Sequence, residues 1–431
     1  MKKSFNFLIC ALLICTAVWS LWGCADNLSY EQEPATNNVR EQLKAKLSHE
    51  VTQAEARENL EKLLIEMKIP STRGGDAMQL PPITSVYTRG KAALATRAGE
   101  AVEPYFHIFN FGDNEGFAIM SGDDRVEPLL ALTFEGELTP ETEIDNPGFE
   151  FAFEKMEEYY VSKVVNLSLG NLDVTDVTNN ILPLPGFGQS AYYYEMPLGH
   201  CLVHWHQEYP YNKYCTLQPG GVPAYVGCVA VAVAQLMSIY KYPSSYHSYP
   251  NNTTYNFNWN DMVLATPSLG GENQIARLMQ QLGTSVNLCV HYNAVDSGSG
   301  SGADSNNIPR TLENFGYANG GELVDYNTID VVQELIAGYP VLIGGNDGAV
   351  GHRWLGHGLM ALTTTTNDQG NDDLIPIAPA VTYYILCNWG WGGNCDGYFL
   401  SGVFDTNNPY VDNTTRSYYY NNVNVVINIR K

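Results

Sequence analysis

At 431 residues the chain exceeds one ordinary domain, so two or three units plus any targeting segment are expected. Its formal net charge is -23, with only 23 Lys and Arg and no basic stripe that could follow a phosphate backbone. Nucleic acid is therefore not an expected partner.

The first 24 residues read as an export signal, with Lys2 and Lys3 ahead of the apolar run "FLICALLICTAVWSLW" and then "GCADN". The end of that run, "LWGC", resembles a bacterial lipoprotein processing site, which implies a lipidated Cys24 and an anchor in the membrane. A plain secretory signal or an uncleaved anchor gives the same placement of the folded part, outside the cytoplasm. The chain is thus expected in the cell envelope or on the surface, with release after processing as a further outcome.

Residues 40–68 place Leu43, Leu47, Val51, Leu60, Leu63, Leu64 and Met67 at roughly helical spacing, which predicts one or two amphipathic helices. A linker marked by Pro70, Gly74, Gly75, Pro81 and Pro82 follows. Next come strand-like runs, "YFHIFNF", "EGFAIMS" and "PLLALTFEGEL", parted by the turn signals "GDN" and "GDD". A helix over 149–165 closes what reads as a compact α+β unit of its own. Residues 166–190 are polar and marked by Pro and Gly, as in a linker open to proteolysis.

The second domain begins near 191 and runs to 431. Cys228 stands at the head of "GCVAVAVAQLMSIYKYP", apolar nearly all round, which suits a helix buried inside the domain and ended before Pro243. A cysteine in the first turn of such a helix meets the positive end of the dipole and unpaired N–H groups, which favour thiolate. A small, inert core cysteine is the alternative for the isolated stretch.

A thiol nucleophile needs a base in reach and a group to orient that base. His352 and His357, in "GHRWLGHG", are five residues apart and on a regular strand would face opposite sides, so one of them can meet Cys228. Asn388 ends the apolar strand "YYILCN" and precedes Trp389 and Trp391. An amide oxygen there could accept from the imidazole, with an indole shielding the bond.

Several shorter features suggest less. His204, His206 and Cys201 lie close together but lack an outlying ligand pair, and no cofactor motif is present, so neither metal nor cofactor is expected. The run 363–373 is acidic without calcium-loop spacing and reads as a solvated hairpin tip. The Gly/Ser loop at 296–302 is either a flap over a groove or a plain connection. The wide, irregular spacing of Cys201, Cys215, Cys228, Cys289, Cys387 and Cys395 does not look like a disulfide scaffold.

With Cys, His and Asn in that order, residues 195–408 resemble the streptopain family of papain-like cysteine peptidases. The similarity is carried by "GCVAVAVAQLMSIYKYP", "WHQEYPYN", "LENFGY", "GYPVLIGG", "GHRWLGHG" and "NWGWGGNCDGYF". The first unit resembles the family's propeptide in "FNFGDNEGFAIMSGDDRVEPLLALTFEGEL".

The resemblance implies an α+β fold: a papain-like peptidase domain over 191–431, with a helical part carrying the cysteine and an antiparallel sheet carrying His and Asn. A smaller α+β propeptide over 25–190, behind a signal of residues 1–24, would precede it. It also implies an exported cysteine endopeptidase made as an inactive zymogen, with protein or peptide substrates and its own propeptide as inhibitor. Cys228 would be the nucleophile, His352 the base, Asn388 its orienting group with Trp389 beside it, and Gln207 an oxyanion donor together with the N–H of Cys228. Arg353 stands where the family carries a small residue, and His357 where it carries an acid. These departures keep a catalytically impaired surface binding homologue in view, and an acyl transferase or amidase would suit the same fold.

Overall fold

The computed structural model describes residues 49–67, 82–90, 94–95, 101–102, 105–168, 189–194, 203–217, 220–293, 300–346, 351–364, 380–405 and 423–431. The signal with Cys24, the Pro/Gly linker before 82, most of the 166–190 linker, Cys201 and the acidic run beyond Thr364 fall outside these residues.

The first helix, α1 (Gln53–Glu66), opens on a capping box in which Thr52 and Glu55 each accept the other's backbone N–H. Its buried face is Ala56, Leu60, Leu63, Leu64 and Met67, the helical spacing expected from the sequence. Strands β1 (Ile83–Gly90), β2 (Tyr105–Phe111), β3 (Phe117–Ser121) and β4 (Leu129–Thr133) follow as an antiparallel meander. The helix α2 spans Pro147–Ser168, two residues earlier and three later than the sequence pattern suggests. Pro147 suits a first helical position, and Asn146 Oδ1 accepts the N–H groups of Gly148 and Phe149.

After β5 (Gln189–Tyr194) comes α3 (Cys228–Tyr240), then α4 (Leu269–Leu282) and α5 (Ile308–Asn314). Further along the chain come β6 (Asn319–Asp325), α6 (Thr328–Ile336), β7 (Val341–Asn346), β8 (Gly351–Thr364), β9 (Ala380–Asn388), β10 (Gly397–Leu400) and β11 (Val423–Arg430). As the apolar pattern predicts, Val229 to Ser238 of α3 are all buried.

One sheet runs through nearly the whole of residues 50–431. Its order is β1-β2-β3-β4-β10-β9-β8-β7-β11-β6, with β5 on the far half of β8 as the eleventh strand. The N-terminal unit is therefore not set apart, as its self-contained pattern had suggested: Ala131, Leu132 and Thr133 of β4 pair with Phe399, Tyr398 and Gly397 of β10.

Strand alternation sorts the residues of this sheet onto two faces. Val341, Ile343 and Trp354 share one core with Phe149, Phe151 and Phe153 of α2, so the N-terminal unit and the sheet bury apolar surface together. Leu342, Leu355, Val426 and Ile429 form a second core with α3 and α4 on the other face. The helical half that carries Cys228 thus lies on one side of the sheet, and α2 lies on the other.

Candidate active site

The chain enters α3 through Gly227, whose φ of 94° lies in the region that side chains rarely adopt. An added Cβ there would also stand 3.0 Å from the Ser301 carbonyl oxygen. Cys228 is the first residue of the helix and is partly buried, with no disulfide. Burial pushes its thiol up, but the hydrogen bond and charge of His352, together with the backbone N–H and charge of Arg353, outweigh it. The thiol therefore titrates below its ordinary range.

His352 sits one residue into β8 and is 7% exposed. Its Nε2 is 2.8 Å from the carbonyl oxygen of Trp389. A carbonyl only accepts, so Nε2 carries the proton and Nδ1 is left for the thiol of Cys228. The ring stacks at 6.4 Å and 15° against Trp354 and meets the edge of Trp391.

His357 is equally buried but stands at the register shift between Gly356 and Gly358 where β8 meets β9. Of the two histidines, His352 is the one that acts on the Cys228 thiol.

Asn388 ends β9 as expected, yet its amide does not hold the imidazole. Both acceptor positions of Oδ1 are taken, by Gln235 Nε2 at 2.7 Å and Gly390 N–H at 3.1 Å, while Nδ2 donates to Val203 at 3.0 Å. The orienting acceptor is instead the main chain one residue later. The expected role of Asn388 is corrected accordingly: it shapes the turn that presents the Trp389 carbonyl.

Trp389 is fully buried, with its indole N–H on the Cys395 carbonyl at 2.8 Å and its ring against Trp354 and Phe399. The indoles packed on the imidazole are Trp354 and Trp391, so the expected shield over the hydrogen bond is not the Trp389 ring.

Gln207 is 7% exposed, and its carbonyl receives Val226 N–H. No hydrogen bond occupies its side-chain amide among the described residues. Arg353 is 4% exposed and donates to Leu342 O at 2.9 Å, Ser305 Oγ at 2.7 Å and Asn424 Oδ1. Burial pulls the guanidinium down to about 10, opposed by Cys228, so it remains a cation at neutral pH. Three acceptors explain how a bulky residue is housed beside the base.

The start of α2 lies on the imidazole. A Cβ on Gly148 would stand 2.6 Å from His352 Cδ2 and 2.6 Å from Trp389 Cε3.

Residues 205–399 match the peptidase C10 family, and residues 48–160 match the Spi protease inhibitor family. Over residues 205–399 the chain is similar to the peptidase C10 family. The C10 match spans the cysteine, both histidines and the Trp389 turn, and the inhibitor match spans β1 to β4 with most of α2.

Among curated relatives, this chain is 26% identical over 350 residues to streptopain of Streptococcus pyogenes, covering 70% of this chain and 75% of that one. It is 25% identical over 356 residues to the thiol protease/hemagglutinin PrtT of Porphyromonas gingivalis, covering 76% of this chain but only 37% of PrtT. Among solved structures, a prointerpain A fragment of Prevotella intermedia aligns at 22% identity with a TM-score of 0.49, over 79% of this chain and 98% of that one. Active interpain A aligns at 24% identity with a TM-score of 0.34, over 52% and 91%. The resemblance seen in the sequence, to streptopain-like cysteine peptidases with their propeptide, is thus borne out.

Two residues of this site were given no role from the sequence. Gln235 lies seven positions after Cys228, about two helical turns, so it projects from the same side of α3 and reaches Asn388. Asp396 accepts the N–H of Trp389 at 2.9 Å. The signal for Gln235 was a lone polar residue inside an apolar helix, and for Asp396 a carboxylate within a glycine-rich turn. The Trp389 carbonyl left no signal, because every residue has one.

Proposed function

We propose that the chain is the zymogen of an exported cysteine endopeptidase acting on protein or peptide substrates. The observation that carries this reading is the pairing of Cys228 with His352, whose other ring nitrogen is fixed on the Trp389 carbonyl.

In the working enzyme the Cys228 thiolate attacks the scissile carbonyl carbon and a C–S bond forms. The carbonyl oxygen becomes an oxyanion, received by the Cys228 N–H, which as the first of the helix has no intrahelical acceptor, and by the free amide of Gln207. His352, protonated on both nitrogens, gives the Nδ1 proton to the leaving amine and the C–N bond breaks. Water then attacks the thioester, His352 takes its proton, the C–S bond breaks and the thiolate returns. Asn388 supports this sequence through the turn, not by touching the ring.

Latency follows from α2. Gly148 occupies the Cδ2–Nε2 side of the imidazole, away from Nδ1, with Asn146 tied to the Asn394 carbonyl at 2.8 Å. The Spi-type unit is thereby read as this chain's own inhibitor, removed after a cut in the 166–190 linker.

Export rests on the first 24 residues alone, with Cys24 as the acceptor of a lipid anchor. Mass spectrometry of the mature N-terminus tests it: a diacylated Cys24 supports the anchor, and an unmodified N-terminus removes it.

For the activity, purified chain cut in the linker is assayed on casein with an epoxide inhibitor as a label. Hydrolysis that vanishes in Cys228→Ala, with labelling of Cys228 in the parent protein, is expected. Inertness to both casein and epoxide after the cut would leave the scaffold as a binding protein. Transfer to added amines in preference to water would make it an acyl transferase.

A further inference from the structure

The turn from β9 to β10, residues 389–396, meets His352 at the Trp389 carbonyl. The N–H of that same residue is held by Asp396 Oδ1 at 2.9 Å, and its indole N–H by the Cys395 carbonyl at 2.8 Å. Trp389 is thus fixed through three bonds, and besides His352 itself the side chain that supplies one of them is Asp396. The direction of the carbonyl that orients the base depends on that carboxylate.

Asp396 is also where the inhibitor unit takes hold of the turn. Phe134 N–H donates to the Asp396 carbonyl at 3.0 Å, and Asn146 Nδ2 donates to the Asn394 carbonyl at 2.8 Å. The carboxylate side chain is 13% exposed, with its second oxygen 4.0 Å from His204 Nδ1. His204 Nε2 in turn lies 3.8 Å from Glu135, which follows β4 in the inhibitor unit. Asp145, ahead of α2, reaches Asn394 Nδ2 at 3.3 Å, and Cys395 is the remaining titratable neighbour.

We propose that Asp396 is a positioning residue for His352, acting through the backbone of Trp389, and that docking of the inhibitor's Glu135, which reaches it through His204, weakens that hold. Burial pushes the Asp396 carboxyl up to about 8, the Trp389 N–H works against this, and the charge of Glu135 adds to it. Removing the inhibitor takes Glu135 away, which favours the charged carboxylate. A charged acceptor binds the Trp389 N–H more strongly than a neutral one. The inhibitor therefore acts on the base twice, by contact at Gly148 and through the charge it sets near the support of the orienting turn.

This inference rests on the peptidase reading, and the test separates the two. In linker-cut protein, the pH dependence of Cys228 alkylation by iodoacetamide is followed by mass spectrometry, with kcat per titrated active site and KM on a peptide substrate. In the parent protein Cys228 is expected to alkylate at a pH well below that of an ordinary thiol. Asp396→Asn keeps the shape and an acceptor; it is expected to move the alkylation midpoint upward by about one pH unit and lower kcat about tenfold, with KM unchanged. Asp396→Ala is expected to move both further.

A merely structural role would lower thermal stability and the fraction of active sites while leaving the midpoint and the per-site kcat in place. Parent-like midpoints and kcat in both variants overturn the proposal and leave the peptidase reading standing. A parent Cys228 that alkylates like an ordinary thiol overturns both.

Discussion

Gly148 of the inhibitor unit and His352 of the catalytic sheet are packed so closely that no Cβ fits between them, since one would stand 2.6 Å from the imidazole. Neither neighbour can give easily: His352 is fixed on Trp389 O, and Trp389 is buried in an aromatic cluster. Gly148→Val is therefore expected to cost about 1–3 kcal/mol of docking through overpacking. Uncut Gly148→Val chain should show casein hydrolysis roughly ten times or more above uncut parent. After the linker is cut and the inhibitor removed, the two should be equal, because the substituted residue has left.

The two histidines separate in a second comparison. His352→Ala removes the base and is expected to lower kcat by about 10²–10⁴, with alkylation of Cys228 moving toward ordinary thiol behaviour. His357→Ala removes a buried ring at the register shift, so the expected loss is in thermal stability, with the alkylation midpoint unchanged. The reverse pattern would make His357 the base.

Arg353 gives a third. Arg353→Ala leaves Leu342 O, Ser305 Oγ and Asn424 Oδ1 without their donor, and one unmet buried acceptor costs about 1–3 kcal/mol. The melting temperature is expected to fall by several degrees. With the cation gone, Cys228 should also form its thiolate at higher pH, because Arg353 is among the groups that draw the thiol down. Arg353→Lys should restore part of the thiol effect but less of the stability, since an ammonium lacks the planar fork that spans these acceptors.

The fourth concerns pH. Burial holds the Asp396 carboxyl of the folded zymogen at about 8, well above the ordinary aspartate range, so it binds this proton more tightly than the unfolded chain does. The associated stability is present below about pH 4 and is lost as pH rises toward 8. In uncut Cys228→Ala chain, which removes the thiol from the titration, the melting temperature is expected to fall between pH 5 and 8. Adding Asp396→Asn should flatten that fall. An equal slope in both proteins would place the titration elsewhere.

Much of this site was legible because its parts are residue types with narrow uses. A cysteine heading an apolar helix, a histidine in a glycine-flanked strand and a paired tryptophan turn could be read from their order, and α3, β8 and β9 carry them where expected. The bond between His352 and the Trp389 carbonyl could not be read, since a main-chain acceptor has no side-chain signature. Asn388 looked like the orienting group because its amide is chemically apt; only the fold shows Gln235 and Gly390 already occupying its oxygen. The N-terminal strands were legible as strands, but alternation within β4 says nothing of which strand lies at its edge. Its pairing with β10 spans more than 260 residues of chain and is set by tertiary packing.

That pairing bears on how activity appears in time. The inhibitor strands and the catalytic strands belong to one ladder, and α2 shares a core with β7 and β8, so a cut in the linker breaks a covalent connection and leaves the two pieces joined. The nicked molecule is then a one-to-one complex, and its dissociation rate, not the rate of cutting, governs the lag before turnover. Such a complex is a store of ready enzyme that dilution, or digestion of the bound fragment by the first molecules released, would discharge as a self-accelerating burst.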